Sequence, residues 1–266
     1  MAYANYNDII AATLAFAVGA CAGSFINAVA MRTAAGKKWW GRARSACDNC
    51  GTALKSADLV PVVSYLMLAG KCRYCKAAIK PRHFAAEMVS AALTAALFWR
   101  WGVSPALAVS VAVLWFSLFN SLTDIENGYI YDVWAIALGV AGLLMRMAGG
   151  WNAVLDGLLG GALGFCFIAA IIVVSRGGMG WGDAVLMLGI GGAVGWKYCA
   201  LSLYLGFVVG GVVVLPLMAV KKLKRRDAIP MGPFLAAGSV LALFAGNALV
   251  SRFGDVIGRY PGWPWG

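Results

Sequence analysis

Acidic side chains are scarce in this chain, which makes every carboxylate among its apolar segments a candidate for chemistry. The 266 residues include 11 Asp and Glu, while 62% of the residues are hydrophobic. A carboxylate in an apolar segment is costly to keep charged, so such residues are by default functional candidates. The stretch GGMGWGD ends in Asp183, and the stretch SLTDIENGYIYD contains Asp124 and Asp132.

The histidine content limits the reactions that these carboxylates can support. His83 is the only histidine, which argues against a serine triad and against a His-Glu-x-x-His zinc hydrolase. Two carboxylates a few ångströms apart share one proton, so one can activate water while the other donates to a carbonyl. This is the chemistry of an aspartic protease. A transporter that couples protons could use the same pair.

Glycines near Asp183 suggest a close approach of substrate to its carboxylate. Gly180 and Gly182 have no Cβ, so a scissile backbone could come near Asp183 there. Glycine pairs within apolar helices are more often packing devices. We predict that role for Gly160, Gly161, Gly191 and Gly192.

Four cysteines in the only long polar segment, residues 32–83, form a second candidate site. Cys47, Cys50, Cys72 and Cys75 make two Cys-x-x-Cys pairs separated by 21 residues. Two such knuckles supply the thiolates of a tetrahedral zinc site, as in a zinc ribbon. Because four thiolates leave no open position, this zinc is predicted to be structural. Two disulfides are the alternative, which a reducing cytoplasm disfavours.

The elements that must position these residues are apolar and helical. The mean hydropathy is +0.79 and only 12% of the residues are charged. Runs of about 20 apolar residues, enough to cross a bilayer, recur along the chain. We predict an all-α polytopic membrane protein with about eight transmembrane helices and a small cytoplasmic zinc-ribbon-like insert. The predicted spans are residues 9–30, 84–98, 104–122, 133–147, 153–174, 184–196, 198–220 and 230–250.

The distribution of basic residues predicts the orientation of these helices. Of the 22 Lys and Arg, 17 lie in residues 32–83, at Arg176 and in residues 221–226, and 5 lie in the remaining loops and the C-terminal tail. By the positive-inside bias, the first long loop is cytoplasmic and both termini are outside. We therefore assign the net charge of +11 to topology and not to nucleic-acid binding. Asp124, Asp132 and Asp183 then fall at the cytoplasmic face.

The chain resembles the bacterial type IV prepilin peptidases, which are membrane aspartic proteases with a glycine-x-glycine-aspartate motif. The resemblance runs nearly end to end through six motifs in order. They are GSFINAVAMR (23–32), the insert with DLVPVVSYLMLAGKCRYC (58–75), PRHFAAE (81–87), the segment around Asp124, GMGWGD (178–183) and IPMGPFLAAG (229–238). The resemblance maps the family's two catalytic aspartates onto Asp124 and Asp183.

The resemblance implies an endopeptidase that cleaves the leader of type IV prepilins or type II secretion pseudopilins. Cleavage would occur after a short basic leader, at the cytoplasmic face of the bacterial inner membrane. The resemblance also implies N-methylation of the new N-terminal residue with S-adenosylmethionine, an activity to which it assigns no residues here. The chain then comprises a first transmembrane helix (residues 1–31), a tetracysteine zinc-binding insert (32–83) and a membrane-embedded aspartic peptidase core (84–266).

Three positions depart from the family pattern. Asp48 replaces a proline after the first cysteine, Tyr131 replaces the proline of an isoleucine-proline-aspartate segment, and Val185 replaces a lysine near the second aspartate. The missing lysine bears on how Asp183 is oriented or how its charge is balanced. Tyr131 also makes Asp132 a rival to Asp124, because Tyr-Asp is similar to the first motif of presenilin-type proteases.

Two functions of other classes also fit the residues. One is a proton-coupled transporter that uses Asp124 and Asp183, and the other is a non-enzymatic scaffold for pilus or secretion assembly. A transporter would distribute carboxylates along a path through several helices, whereas here they cluster at one face. The scaffold accounts for the insert but leaves GMGWGD without a role.

Overall fold

The computed structural model describes residues 6–38, 45–220 and 229–257. Within these ranges the chain is helical and contains no strand, which confirms the all-α prediction. The helices are α1 (Tyr6–Ala34), α2 (Val63–Met67), α3 (Pro81–Trp101), α4 (Pro105–Asn127), α5 (Asp132–Arg146), α6 (Trp151–Val174), α7 (Trp181–Val194), α8 (Trp196–Ala219) and α9 (Gly232–Ile257). Short 3-10 turns cover Ser56–Leu59 and Met147–Gly149.

Most of the long helices are apolar along much of their length, as helices in a lipid environment are. Among the described residues, five segments are long and apolar enough to cross a membrane. They are Ile9–Ala34, Pro105–Asn127, Asp132–Gly149, Trp151–Val174 and Trp196–Ala219. The helix α7 and the segment Gly232–Gly246 of α9 are also apolar but shorter. Each predicted span coincides with a helix, and the number of eight crossings remains a prediction.

The chain divides into two compact units, Met1–Arg100 and Trp101–Gly266. The first unit contains α1, the cysteine-bearing insert and α3. Its two long helices approach closely where small residues face each other: the Ser90 hydroxyl donates to the Gly19 carbonyl at 2.7 Å. A Cβ on Gly23 would lie 2.7 Å from that of Ser90, so both glycines are needed for this approach.

The insert is attached to the start of α3 by polar and aromatic contacts. Glu87, on the second turn of α3, accepts the backbone N–H of Val62 at 2.7 Å, and Tyr65 stacks on Phe84 with a centroid distance of 4.6 Å. Val62 has a φ of +65°, which is a rare conformation for a β-branched residue. Glu87 thus anchors the insert to α3.

The second unit is built around α7, which packs against α5 and α6 through glycines. A Cβ on Gly160 would collide with the Gly191 carbonyl, and one on Gly191 would collide with Gly160. Gly161 lies against Gly192, whose own α-carbon faces Gly139 of α5. Without a hydrophobic force between helices in lipid, such small residues let backbones pack closely. The packing role predicted for these four glycines of α6 and α7 is confirmed.

A buried ion pair connects α5, α6 and α7 at the end of α5. Arg146 is fully buried and donates through Nη1 to the Asp156 carboxylate at 2.7 Å. The same nitrogen bonds the Ala153 carbonyl, and Nε bonds the Ala193 carbonyl, both at 3.0 Å. The structure thus pairs the only described carboxylate of α6 with Arg146.

Candidate active site

Asp124 lies in the last turn of α4. The hydropathy of the segment instead predicts that the span ends before it, at residue 122. The helix continues to Asn127 because Gly128 adopts a left-handed conformation (φ +69°) and its N–H bonds the Asp124 carbonyl at 2.9 Å. Glycine is the residue most suited to this helix-ending position. The Asp124 side chain is therefore held on a helix surface, where only 8% of the residue is exposed.

Asp183 lies in the first turn of α7, which begins after Gly180 in extended conformation. The backbone N–H of Asp183 bonds the Gly180 carbonyl at 3.2 Å. Only 6% of Asp183 is exposed, and its buried Oδ1 makes no hydrogen bond to any described residue. Buried polar atoms are nearly always paired, so this oxygen is available to water or a substrate.

Asp124 and Asp183 are both buried, whereas Asp132 is exposed. The carboxylates of Asp124 and Asp183 lie close enough for the charge of one to act on the other. Asp132 is exposed as the first residue of α5, where a negative charge favours the start of a helix. The assignment of Asp124, and not Asp132, as the partner of Asp183 stays a prediction.

The loop between α4 and α5 is held by a residue that sequence reasoning did not select. Asn120 is fully buried one turn before Asp124, and its Oδ1 accepts the backbone N–H of Tyr131 at 3.1 Å. Its Nδ2 donates to the Phe116 carbonyl at 3.0 Å. A proline at position 131 would have no N–H to donate. An amide side chain in an apolar span was the signal that could have identified Asn120.

The two glycines predicted to admit substrate have different surroundings. A Cβ on Gly182 would lie 2.8 Å from the Ile130 Cβ, so Gly182 packs directly on the loop between α4 and α5. At Gly180 the nearest atom to such a Cβ is Asp183 Oδ2 at 3.5 Å, which leaves the glycine face open beside the carboxylate. Substrate contact at either glycine remains a prediction. The structure offers no explanation for Val185, which is half-buried.

Asp124 has a further partner from a distant part of the sequence. Its Oδ2 accepts the backbone N–H of Gly232, the first residue of α9, at 2.8 Å. In the sequence, Gly232 belongs to the IPMGPF segment, which carries the family resemblance but does not indicate a role for this glycine. A backbone donor has no side-chain signature, so only the resemblance could have drawn attention to it.

The four cysteines of the insert converge as their spacing predicts. Their Sγ atoms all lie within 4.8 Å of one another, and the Cys47 and Cys75 sulfurs are 3.8 Å apart. A zinc–sulfur bond of about 2.3 Å gives a tetrahedral edge of about 3.8 Å, so the sulfur positions fit a zinc ion. All four cysteines are free thiols and not disulfides.

One thiol of each knuckle has a lowered pKa, which favours the thiolate form that a metal needs, while the pKa of the Cys47 thiol is raised. The N–H groups of Cys75 and Tyr74 lower the pKa of the Cys72 thiol. Hydrogen bonding to Thr52 lowers the pKa of the Cys50 thiol to about 6. Each knuckle closes with an antiparallel bridge, Ala46 with Ala53 and Lys71 with Ala78.

Asp58 connects the 3-10 turn of the insert to the second knuckle. Its carboxylate accepts Arg73 Nε at 2.6 Å, the Tyr74 hydroxyl at 3.2 Å and the Lys55 backbone N–H at 3.1 Å. The hydrogen bond from Arg73 is the main reason that the pKa of Asp58 is lowered. Asp58 therefore remains charged and keeps these segments together.

The sequence matches two family models. Residues 17–101 match the bacterial peptidase A24 N-terminal domain, and residues 111–215 match the type IV leader peptidase family. No solved structure matches the chain.

Several curated proteins are similar over most of the chain. A prepilin leader peptidase/N-methyltransferase of Bacillus subtilis is 33% identical over 213 residues, which cover 79% of this chain and 85% of that protein. A protein of the same name from Pseudomonas aeruginosa is 29% identical, with 79% and 74% covered. A third, from Pseudomonas putida, is 28% identical, with 92% and 94% covered.

Proposed function

Because this chain belongs to the type IV leader peptidase family, we propose that Asp124 and Asp183 are the catalytic pair with which it removes prepilin leaders. It is a multi-pass membrane endopeptidase of prepilins that also carries N-methyltransferase activity. The observation that supports the catalytic pair is the convergence of two buried carboxylates from α4 and α7.

The proposed reaction is hydrolysis by a shared-proton pair. One carboxylate takes a proton from water, whose oxygen attacks the scissile carbonyl carbon, while the protonated partner donates its proton to the carbonyl oxygen. When the intermediate collapses, the carbon–nitrogen bond breaks and the leaving amine takes the proton that came from water. The intermediate's hydroxyl returns a proton to the other carboxylate, so the pair is restored. The unpartnered Asp183 Oδ1 supports this role, because it can face the attacking water.

We place the prepilin with its basic leader in the cytoplasm and its apolar helix in the bilayer. Asp124 ends one apolar helix and Asp183 begins another, and the bias of basic loops assigns this end to the cytoplasm. Both chain termini then lie outside. Type II secretion pseudopilins present the same arrangement of leader and helix in this proposal. Gly180, beside Asp183, offers the open backbone face for the scissile segment.

We further propose that α3, α7 and α9 cross the membrane with the five longer apolar segments, which makes eight spans. Helix α3 has 21 residues and α9 has 26, and both exceed the roughly 30 Å of a bilayer core at about 1.5 Å per residue. Helix α7 has only 14 residues. Its start at Asp183 would then lie below the membrane surface, where water and the substrate helix can both reach it.

The insert is proposed to hold one zinc ion through Cys47, Cys50, Cys72 and Cys75. Bound to four thiolates, zinc would join the two knuckles and supply folding energy but no open position for chemistry. The methyl donor is proposed to be S-adenosylmethionine. No residue of this chain is assigned to it.

The test is incubation of the purified protein with a prepilin-like peptide, followed by mass spectrometry with and without S-adenosylmethionine. We expect one cut after the leader in both samples, and one added methyl group on the new N-terminal residue only with the donor. A transporter or an assembly scaffold would leave the peptide whole. That result would overturn the proposed function.

A further inference from the structure

The first turn of α9 makes contact with one of the two candidate catalytic carboxylates. The Gly232 N–H donates to Asp124 Oδ2 at 2.8 Å, and the contact is buried. It joins residues far apart in the sequence, in the last turn of one helix and the first turn of another. The first N–H groups of a helix have no partner within that helix, so this donor is free to serve the carboxylate.

Only glycine fits at position 232 in this arrangement. A Cβ there would lie 2.8 Å from Asp124 Oδ2 and 3.3 Å from both its Cβ and Cγ. A Cβ and a neighbouring heavy atom in ordinary van der Waals contact are 3.4–4 Å apart. Any side chain would therefore push the carboxylate away from the donor, or α9 away from α4.

Helix α9 is also held by close packing against α8. Gly238 lies directly against the backbone of Gly206 in α8, and a Cβ on Gly206 would lie 3.2 Å from the α-carbon of Leu235. Leu235 is fully buried. Because close packing fixes α9, its first N–H is a rigid support for Asp124.

We propose that Gly232 is a positioning residue for leader cleavage, which holds Asp124 in the orientation that faces Asp183. This inference rests on the proposed function and extends it to a backbone group. The N–H fixes Oδ2, so Oδ1 is the oxygen left for water and for the partner carboxylate. A misplacement of a reacting group by about 1 Å can cost about 100-fold in rate, and the missing side chain at position 232 prevents such a shift.

The alternative is that Asp124 merely caps α9, as acidic side chains often do at helix starts. A cap contributes to stability but not to the chemical step. The two roles differ in what Gly232→Ala does to the ratio of leader cleavage to methyl transfer on a pre-cleaved peptide. Partial misfolding lowers both activities together, so the ratio corrects for it.

The experiment compares Gly232→Ala with two other glycine-to-alanine variants in the full-length protein. Gly211→Ala is the neutral control, because nothing lies within 4 Å of a Cβ there. Gly238→Ala is the structural control. Gly238 lies in α9 like Gly232, but its Cβ would collide with Gly206 of α8. For each variant, kcat and KM for cleavage, methyl transfer to a pre-cleaved peptide and the unfolding temperature are measured.

We expect Gly232→Ala to lower kcat for cleavage by about 10- to 100-fold at unchanged KM, with methyl transfer unchanged. Gly211→Ala should match the wild type, and Gly238→Ala should lower both activities in parallel with its loss of stability. A cleavage-to-methylation ratio within twofold of wild type in Gly232→Ala would overturn the inference, whether or not the variant is destabilised. Failure of the wild type to cleave would instead overturn the proposed function.

Discussion

Replacement of either Asp124 or Asp183 by asparagine is expected to lower leader cleavage by several orders of magnitude. Asparagine keeps the volume and hydrogen-bonding capacity of aspartate but cannot take the proton that water must lose. The two losses should not add, because the carboxylates act as one unit. Asp132→Asn is the matched control and should be much milder, since Asp132 is exposed. Single-turnover assays on a prepilin peptide measure all four variants, including the double one.

One result would contradict the assignment of Asp124 and Asp183 as the catalytic pair. If Asp124→Asn still cleaves while Asp132→Asn does not, then Tyr131-Asp132 is the true partner of the GMGWGD segment. Methyl transfer to a pre-cleaved peptide should survive in both single variants, because it does not use the shared carboxylates.

At the scale of residues, sequence reasoning could select side chains whose chemistry is unusual for their surroundings. Asp183 stood out as an acid among glycines in an apolar chain, and the cysteine pairs stood out by their spacing. Gly232 could not be found in this way, because it contributes a backbone N–H and the absence of a Cβ. Both properties become meaningful only when α9 is placed beside Asp124.

The loop between α4 and α5 allows a test with two asparagines in similar roles. Asn120 accepts the Tyr131 N–H in a buried position, and Asn127 accepts the Tyr129 N–H at 3.0 Å in an exposed one. Leaving a buried donor unpaired costs about 1–3 kcal/mol, whereas water replaces an exposed acceptor. Asn120→Leu should therefore lower both the unfolding temperature and cleavage, because Ile130 of this loop packs on Gly182.

Asn127→Leu should have little effect on either measurement. Equal losses in the two variants would show that the loop does not depend on the buried hydrogen bond. Tyr131→Pro removes the donor instead of the acceptor, and we expect it to resemble Asn120→Leu.

The insert is an element whose integrity should depend on metal. Elemental analysis of protein purified without chelator should find about one zinc per chain, as a single four-thiolate site requires. Cys47→Ser should lower the zinc content and increase hydrogen exchange across residues 45–80, while cleavage is partly retained. Zinc-free protein with an ordered insert would contradict the prediction. Cys166→Ser, at a cysteine outside the cluster, is the control.

At the scale of elements, hydropathy located the helices but not their ends. The predicted third span stopped at residue 122, where polar residues begin, while α4 continues to Asn127 and is ended by Gly128. The signal for that end was the glycine. The short α2 was not predicted, because its five residues are held by contacts to α3 and not by their own periodicity.

For the whole molecule, the Arg146–Asp156 pair should matter more to assembly than to chemistry. Removing one partner of a buried pair leaves an uncompensated charge and costs about 3–5 kcal/mol. Arg146→Met should therefore lower the unfolding temperature strongly, with cleavage lost only in proportion to the folded fraction. Adding Asp156→Leu should recover part of the stability, because the stranded charge is gone.

Arg176→Met, at an exposed position, should leave the unfolding temperature unchanged. If the Arg146→Met single variant and the double variant are equally unstable, the lost hydrogen bonds to the Ala153 and Ala193 carbonyls matter more than the charge. No pattern in the sequence predicts that Arg146 and Asp156 pair. Their burial depends on the approach of three helices, which no local pattern encodes.

The hydrogen bond from Gly232 to Asp124 also bears on when the enzyme becomes active during its synthesis. Helix α9 follows the other eight described helices in the chain, so it is the last of them to leave the ribosome and enter the membrane. Asp124 and Asp183 are by then already in the bilayer, but the support for Asp124 is not. A nascent chain would thus carry both aspartates but cleave slowly, and full activity would begin only once α9 has been inserted.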